Sequence, residues 1–164
     1  MKTIRVLAPA LLLMLIGCSE PNARVTTRLN RNTEVSGELP YNPLQWEVIA
    51  STLNHNDHTL ATLLGNEQAI AYARRNAAHA YPSGSVLSVI TWSQEEDPRW
   101  FGGNIPGNLR TVEFLEVQPG QDGGGTYLYC LYGGSPLRRL VSKEEKSPTG
   151  RAAYMVGQRA AVMP

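Results

Sequence analysis

The 164-residue chain holds only two cysteines, three histidines and two phenylalanines, and its formal net charge is +1. Two cysteines cannot build a disulfide framework. A charge this close to zero supplies no basic field, which excludes nucleic acid as an expected partner. No apolar run reaches the ~20 residues that a membrane-spanning helix needs, and no repeat at a solenoid or propeller period is visible. G-x-S-x-G, H-E-x-x-H and paired-cysteine motifs are missing, so the common hydrolase and metalloprotease signatures fail. The clusters Gly102-Gly103 and Gly123-Gly124-Gly125 lack the following helix that a phosphate cradle requires and read as loops. What is present is a 42% apolar, 18% charged chain, foldable and long enough for one domain of ordinary size.

The first eighteen residues read MKTIRVLAPALLLMLIGC. Lys2 and Arg5 make a positive start, and Val6–Ile16 is an apolar run of signal-peptide length. Leu15-Ile16-Gly17-Cys18 resembles the bacterial lipobox, in which the cysteine is lipidated on sulfur and becomes the first mature residue. Ser19 resembles the Gram-negative pattern for sorting to the outer membrane. The expectation is a cell-envelope lipoprotein facing the periplasm, held by several acyl chains whose methylenes each contribute ~0.8 kcal/mol when buried. Removing residues 1–17 leaves 13 basic against 14 acidic residues, and lipidation of Cys18 leaves Cys130 as the one thiol.

Three segments are expected: a signal peptide over 1–17, a polar tether over 18–40, and a domain over 41–164. Within the domain Trp46–Leu53 alternates as a strand, with Trp46, Val48 and Ala50 on one face. The turn formers Asn54–His58 lead into a returning strand over Thr59–Leu64. Asn66 is a candidate N-cap for a helix over Glu67–Ala80, with Glu67 in its first turn, Arg74 and Arg75 near its end, and an apolar stripe of Ala69, Ile70, Ala73 and Ala77. Tyr81-Pro82-Ser83-Gly84 stops it. Further strands are expected over Ser85–Trp92, Leu109–Val117 and Thr126–Tyr132, the first two separated by a polar loop from Ser93 to about Asn108. A short strand over Leu137–Val141 and a helix over Gly150–Gly157 complete the chain. Strands gathered around one principal helix give an α+β fold with a mostly antiparallel sheet.

His55 and His58 frame Asp57 and could hold a divalent metal, but two histidines in a turn are not a closed site, and the exposed-turn reading is preferred. His79 at the helix end reads as a cap that suits the dipole. Cys130, among aromatic and aliphatic neighbours, reads as an inert thiol.

The succession of a W-x-V-I strand, GNEQAIAYAR, YPSGSVLSVITW, TVEFLEV and GTYLYCLYGGSPL resembles the cytochrome P-460 family from about Leu44 onward. The resemblance implies a periplasmic, mostly β, often dimeric domain carrying covalently attached haem, with relatives that oxidise hydroxylamine or bind nitric oxide. It also implies a C-x-x-C-H attachment motif near the C-terminus, and this chain has none. The five positions fall on or close to Ala152, Ala153, Tyr154, Met155 and Val156. The lysine that cross-links to the macrocycle in hydroxylamine-oxidising members corresponds to Val89. Glu113 falls near the carboxylate that lines the distal pocket and can move a proton, although residue type alone favours a strand glutamate facing water. The aromatics Trp92, Trp100, Phe101, Tyr127, Tyr129 and Tyr132 would surround the haem cavity, or fill it if the cofactor were gone.

Fold is not function, and the missing motif decides the expectation. It is a domain without haem, a binding or interaction module rather than an enzyme, with an envelope protein or a small apolar ligand as partner. The alternative is a periplasmic oxidoreductase holding haem non-covalently, its axial ligand drawn from His55, His58, His79, Tyr154 or Met155. A third reading is a structural homodimer built on the sheet face.

Overall fold

The computed structural model describes residues 30–75, 80–120, 125–140 and 149–161. The signal peptide, Cys18, Ala77, His79, the glycines at 123 and 124, and Val141 lie outside the described residues.

Six strands, β1 (Glu47–Asn54), β2 (Thr59–Gly65), β3 (Val86–Glu96), β4 (Asn104–Pro119), β5 (Gly125–Gly133) and β6 (Arg138–Leu140), form one antiparallel sheet in sequence order. Helix α1 (Glu67–Arg75) joins β2 to β3, and α2 (Thr149–Gly157) follows β6. The α+β expectation holds: the sheet is a meander of antiparallel neighbours, whose links need no crossover.

Both faces of the central strands are buried, so β3 reads as a continuous apolar run rather than an alternation. On one face Leu87, Val89, Leu115 and Val117 pack with Ile49 and Leu63 against both helices, through Ala69 and Ile70 of α1 and Ala152, Met155 and Val156 of α2. On the other, Val86, Ile90, Val112, Phe114 and Tyr132 pack against Leu137 and the segment carrying Val35, Leu39, Tyr41 and Trp46. That segment includes the last ten residues read as tether. It runs along the sheet: Trp92 Nε1 donates to the carbonyl of Thr33, and Tyr41 donates to Glu116 at the far end of the same strands. Val35 and Leu39 are its apolar contacts, too few in a polar stretch to show as a period.

Asn66 does more than cap. Its Oδ1 accepts from the Ala69 N–H at 3.0 Å and the Val86 N–H at 3.1 Å, while Nδ2 donates to the Gly84 carbonyl at 2.9 Å. One side chain therefore starts α1 and fixes where β3 begins. Gly65 lets α1 close on the sheet, because a Cβ there would lie 2.8 Å from Ile49 Cδ1 and 2.9 Å from Ala69 Cβ.

Two expectations fail locally. The register shifts between Val48 and Ala50, so Ile49 is the core residue of β1 and Val48 is 49% exposed. A bulge moves every later side chain to the opposite face, which period-two reasoning cannot anticipate. The stretch from Ser93 to Asn108, read as loop, instead extends β3 and β4 as a two-stranded arm, with Gln94 opposite Pro106 and Glu96 opposite Asn104. The arm has no core to face and so lacks apolar alternation. Its hydrogen bonds are polar, from Gln94 Nε2 to Asn104 Oδ1 at 2.6 Å and from the Asn108 N–H to Ser93 Oγ at 2.7 Å.

Candidate functional site

Glu113 sits in the middle of β4, with Val89 of β3 and Leu131 of β5 as its direct cross-strand partners. Parity with Leu115 and Val117 points it at the face that α2 covers. It is 5% exposed, which overturns the reading of a strand glutamate facing water. A buried carboxylate must find partners, and three donors supply them. Arg151, from the first turn of α2, donates through Nε to Oε2 at 2.6 Å and through Nη2 to Oε1 at 2.7 Å, and the Tyr129 hydroxyl donates to Oε2 at 2.8 Å.

The fork-on-fork pairing of guanidinium and carboxylate is the strong form of this contact. The Arg151 Cζ also lies 4.6 Å from the centroid of the Tyr154 ring, a cation–π contact. Hydrogen bonding to Glu113 raises the Arg151 pKa above its ordinary value, and burial followed by the charge of Glu113 raises that of Tyr129. Both carboxylate oxygens are engaged, so Glu113 in this arrangement ties α2 to the sheet and presents no free oxygen to a substrate.

The five positions matched to C-x-x-C-H lie on α2. Ala152, Met155 and Val156, on or close to which the resemblance puts the two thiols and the axial histidine, are the three that turn into the sheet, and Met155 is 0% exposed. Their spacing is i, i+3, i+4, one face of a helix. The same spacing that would hold a macrocycle here holds apolar side chains against Leu87, Val89 and Leu115. Val89, which the resemblance puts at the cross-link position, is buried beside Glu113. The residues present do not fit a covalently attached haem: thioether formation needs two thiols and coordination an imidazole, and none is at these positions.

The aromatics expected around one cavity are dispersed. Tyr127 and Tyr129 lie on the Glu113 face, Trp92 and Tyr132 on the other, and Trp100 and Phe101 stand exposed at the end of the arm. The β3–β4 register sets Trp92 opposite Leu109 and the β4–β5 register sets Tyr132 opposite Val112, both on the face away from Glu113, and the arm carries Trp100 and Phe101 away from the sheet. A depression of about 520 Å³ lies on the face away from α2, lined by Glu38, Tyr132, Leu137, Arg138 and Arg139. His55 and His58 are exposed in the β1–β2 turn, where Asn54 Nδ2 holds Asp57 at 2.7 Å. Cys130 is half-buried opposite Phe114 in β5.

Sequence reasoning named Glu113, counted Tyr129 only among the cavity aromatics and missed Arg151. The signal for Arg151 was available, since it is the one charged residue within TGRAAYMVG. A lone cation on an apolar helix calls for a buried anion.

The family model of cytochrome P460 matches residues 41–149, two thirds of the chain, and ends at the first residue of α2. No curated protein matches the chain.

Proposed function

The chain belongs to the cytochrome P460 family, whose members are haem-binding cytochromes, and from that premise we propose that this member is an envelope lipoprotein whose domain has exchanged covalent haem for an internal ion pair. It serves as a binding or interaction module. The observation that carries the reading is the pairing of Glu113 with Arg151 on a helix whose inward positions are Ala152, Met155 and Val156. The space against Val89 and Glu113 is taken by protein side chains, and each contact there contributes to folding instead of to a cofactor.

Lipid on Cys18 anchors the chain to the outer membrane, on its periplasmic side. The MKTIRVLAPALLLMLIGC start and the polar stretch after it support this part.

The test is an absorption spectrum of the full chain, made in the periplasm of a host supplied with haem. A spectrum without a Soret band agrees with the reading. A stoichiometric band would overturn it in favour of haem bound without thioethers, for which Tyr154, at the surface of α2, and the exposed His55 and His58 are accessible axial candidates. Labelled palmitate should enter the wild-type chain and not Cys18→Ser.

A further inference from the structure

The arm formed by the ends of β3 and β4 leaves the sheet beyond Ser93, the last β3 residue paired with β2. Its tip, residues 97–103, is closed by backbone hydrogen bonds from Asp97 N–H to Gly103 O at 2.9 Å and from Gly103 N–H to Trp100 O at 2.8 Å. Asp97 Oδ1 accepts from the Arg99 N–H at 2.9 Å, and that bond holds the Asp97 carboxyl below its ordinary pKa. Gly102 takes the left-handed conformation, φ 75°, that lets the chain turn back. The ordered tip presents Trp100, 75% exposed, and Phe101, fully exposed, to solvent. Adjacent aromatics on a closed tip are not accounted for by the core, by the Glu113 pair or by the fold of the arm.

The position of the tip says what it faces. The described chain enters at the arm end of the sheet, where Thr33 accepts from Trp92 at the arm's base, and then runs away from it toward Glu116. Cys18 stands fifteen positions before Thr33, a reach of at most ~50 Å when extended. The arm projects by about 15 Å past Ser93, at ~3.3 Å per residue. The described chain therefore begins at the end of the domain that carries Trp100 and Phe101.

We propose that this aromatic tip is a second membrane contact, inserting Trp100 and Phe101 into the interface of the bilayer that holds the lipid anchor. Tryptophan is favoured at that depth because its ring is apolar and its N–H can stay with water and headgroups. Glu95, Glu96 and Asp97 at the neck outnumber Arg99, so the surface it fits is zwitterionic lipid, and the carboxylates stop the arm at the headgroups. Two contacts, anchor and tip, orient the domain on the membrane. The inference rests on the lipoprotein reading.

The full lipidated chain, reconstituted into phosphatidylcholine vesicles with brominated acyl chains, tests it by tryptophan fluorescence. Trp46 and Trp92 pack on the sheet and serve as the internal reference. Brominated lipid should quench the Trp100 share of the emission, and Trp100→Phe should abolish that quenching. An acylated chain whose emission ignores brominated lipid overturns the tip while leaving the anchor standing. Emission that instead shifts with protein concentration assigns the tip to a second copy and also overturns it. A mature chain whose mass shows no acyl groups overturns the anchor and this inference together.

Discussion

Arg151 reaches across 38 residues of sequence to meet both carboxylate oxygens of Glu113, Nε on Oε2 at 2.6 Å and Nη2 on Oε1 at 2.7 Å. The pair joins the first turn of α2 to the central strand of the sheet. It also fixes the orientation in which Ala152, Met155 and Val156 enter the core.

Breaking the pair from one side leaves an uncompensated charge. Arg151→Met strands Glu113 in the core and should cost about 3–5 kcal/mol. Glu113→Gln should cost less, because the Arg151 side chain is 35% exposed and can take up water. The double variant Glu113→Gln/Arg151→Met should be more stable than Arg151→Met alone. Urea unfolding of the three variants measures this, and strictly additive losses would contradict a coupled pair.

Tyr129 makes stability fall at high pH. Its pKa is raised in the fold above the ordinary 10.0, so the unfolded chain ionises first and binds fewer protons than the folded chain. The stability is present in full below about pH 10 and declines as pH rises beyond it. Tyr41, Tyr81 and Tyr132 are shifted in the same direction and add to the slope. Urea midpoints from about pH 9 to about pH 11 should fall less steeply in Tyr129→Phe than in wild type.

The inward face of α2 should matter more than its outward one. Met155→Ala removes a fully buried side chain and should cost about 2–5 kcal/mol. Tyr154→Ala removes a partly exposed ring and its contact with Arg151, which calls for only about 0.5–1 kcal/mol. Equal losses in thermal unfolding would mean that α2 does not pack as described.

Gly65→Ala places a Cβ within 3.0 Å of both Ile49 and Ala69. Overpacking of that kind should cost about 1–3 kcal/mol. The loss should be relieved in part by Ile49→Val, which shortens the side chain whose Cδ1 is struck, and a missing interaction between the two substitutions would place the clash elsewhere.

The elements with a local signature were legible. Asn66 and Gly84 mark the two ends of the α1 connection, NHNDH marks the first hairpin, and the β3–β5 strands show as dense apolar runs between turns. The two misreadings have long-range causes. The bulge at Val48–Ala50 answers to the packing of Ile49 under α1, and the arm past Ser93 is a strand pair whose partners are polar side chains. The site was half legible. The family resemblance singles out Glu113 and Val89, and the sheet makes them cross-strand neighbours. Arg151 stood out as the lone cation of TGRAAYMVG, but that it meets Glu113 depends on where α2 docks, a contact 38 residues apart in sequence.

The central claim, that protein side chains occupy what the family gives to haem, is tested most directly by titrating the full chain with haemin and following the Soret region. The account predicts a response no greater than that of an unrelated protein. A saturable band at one haem per chain would contradict it, the more so if Tyr154→Phe abolished the band.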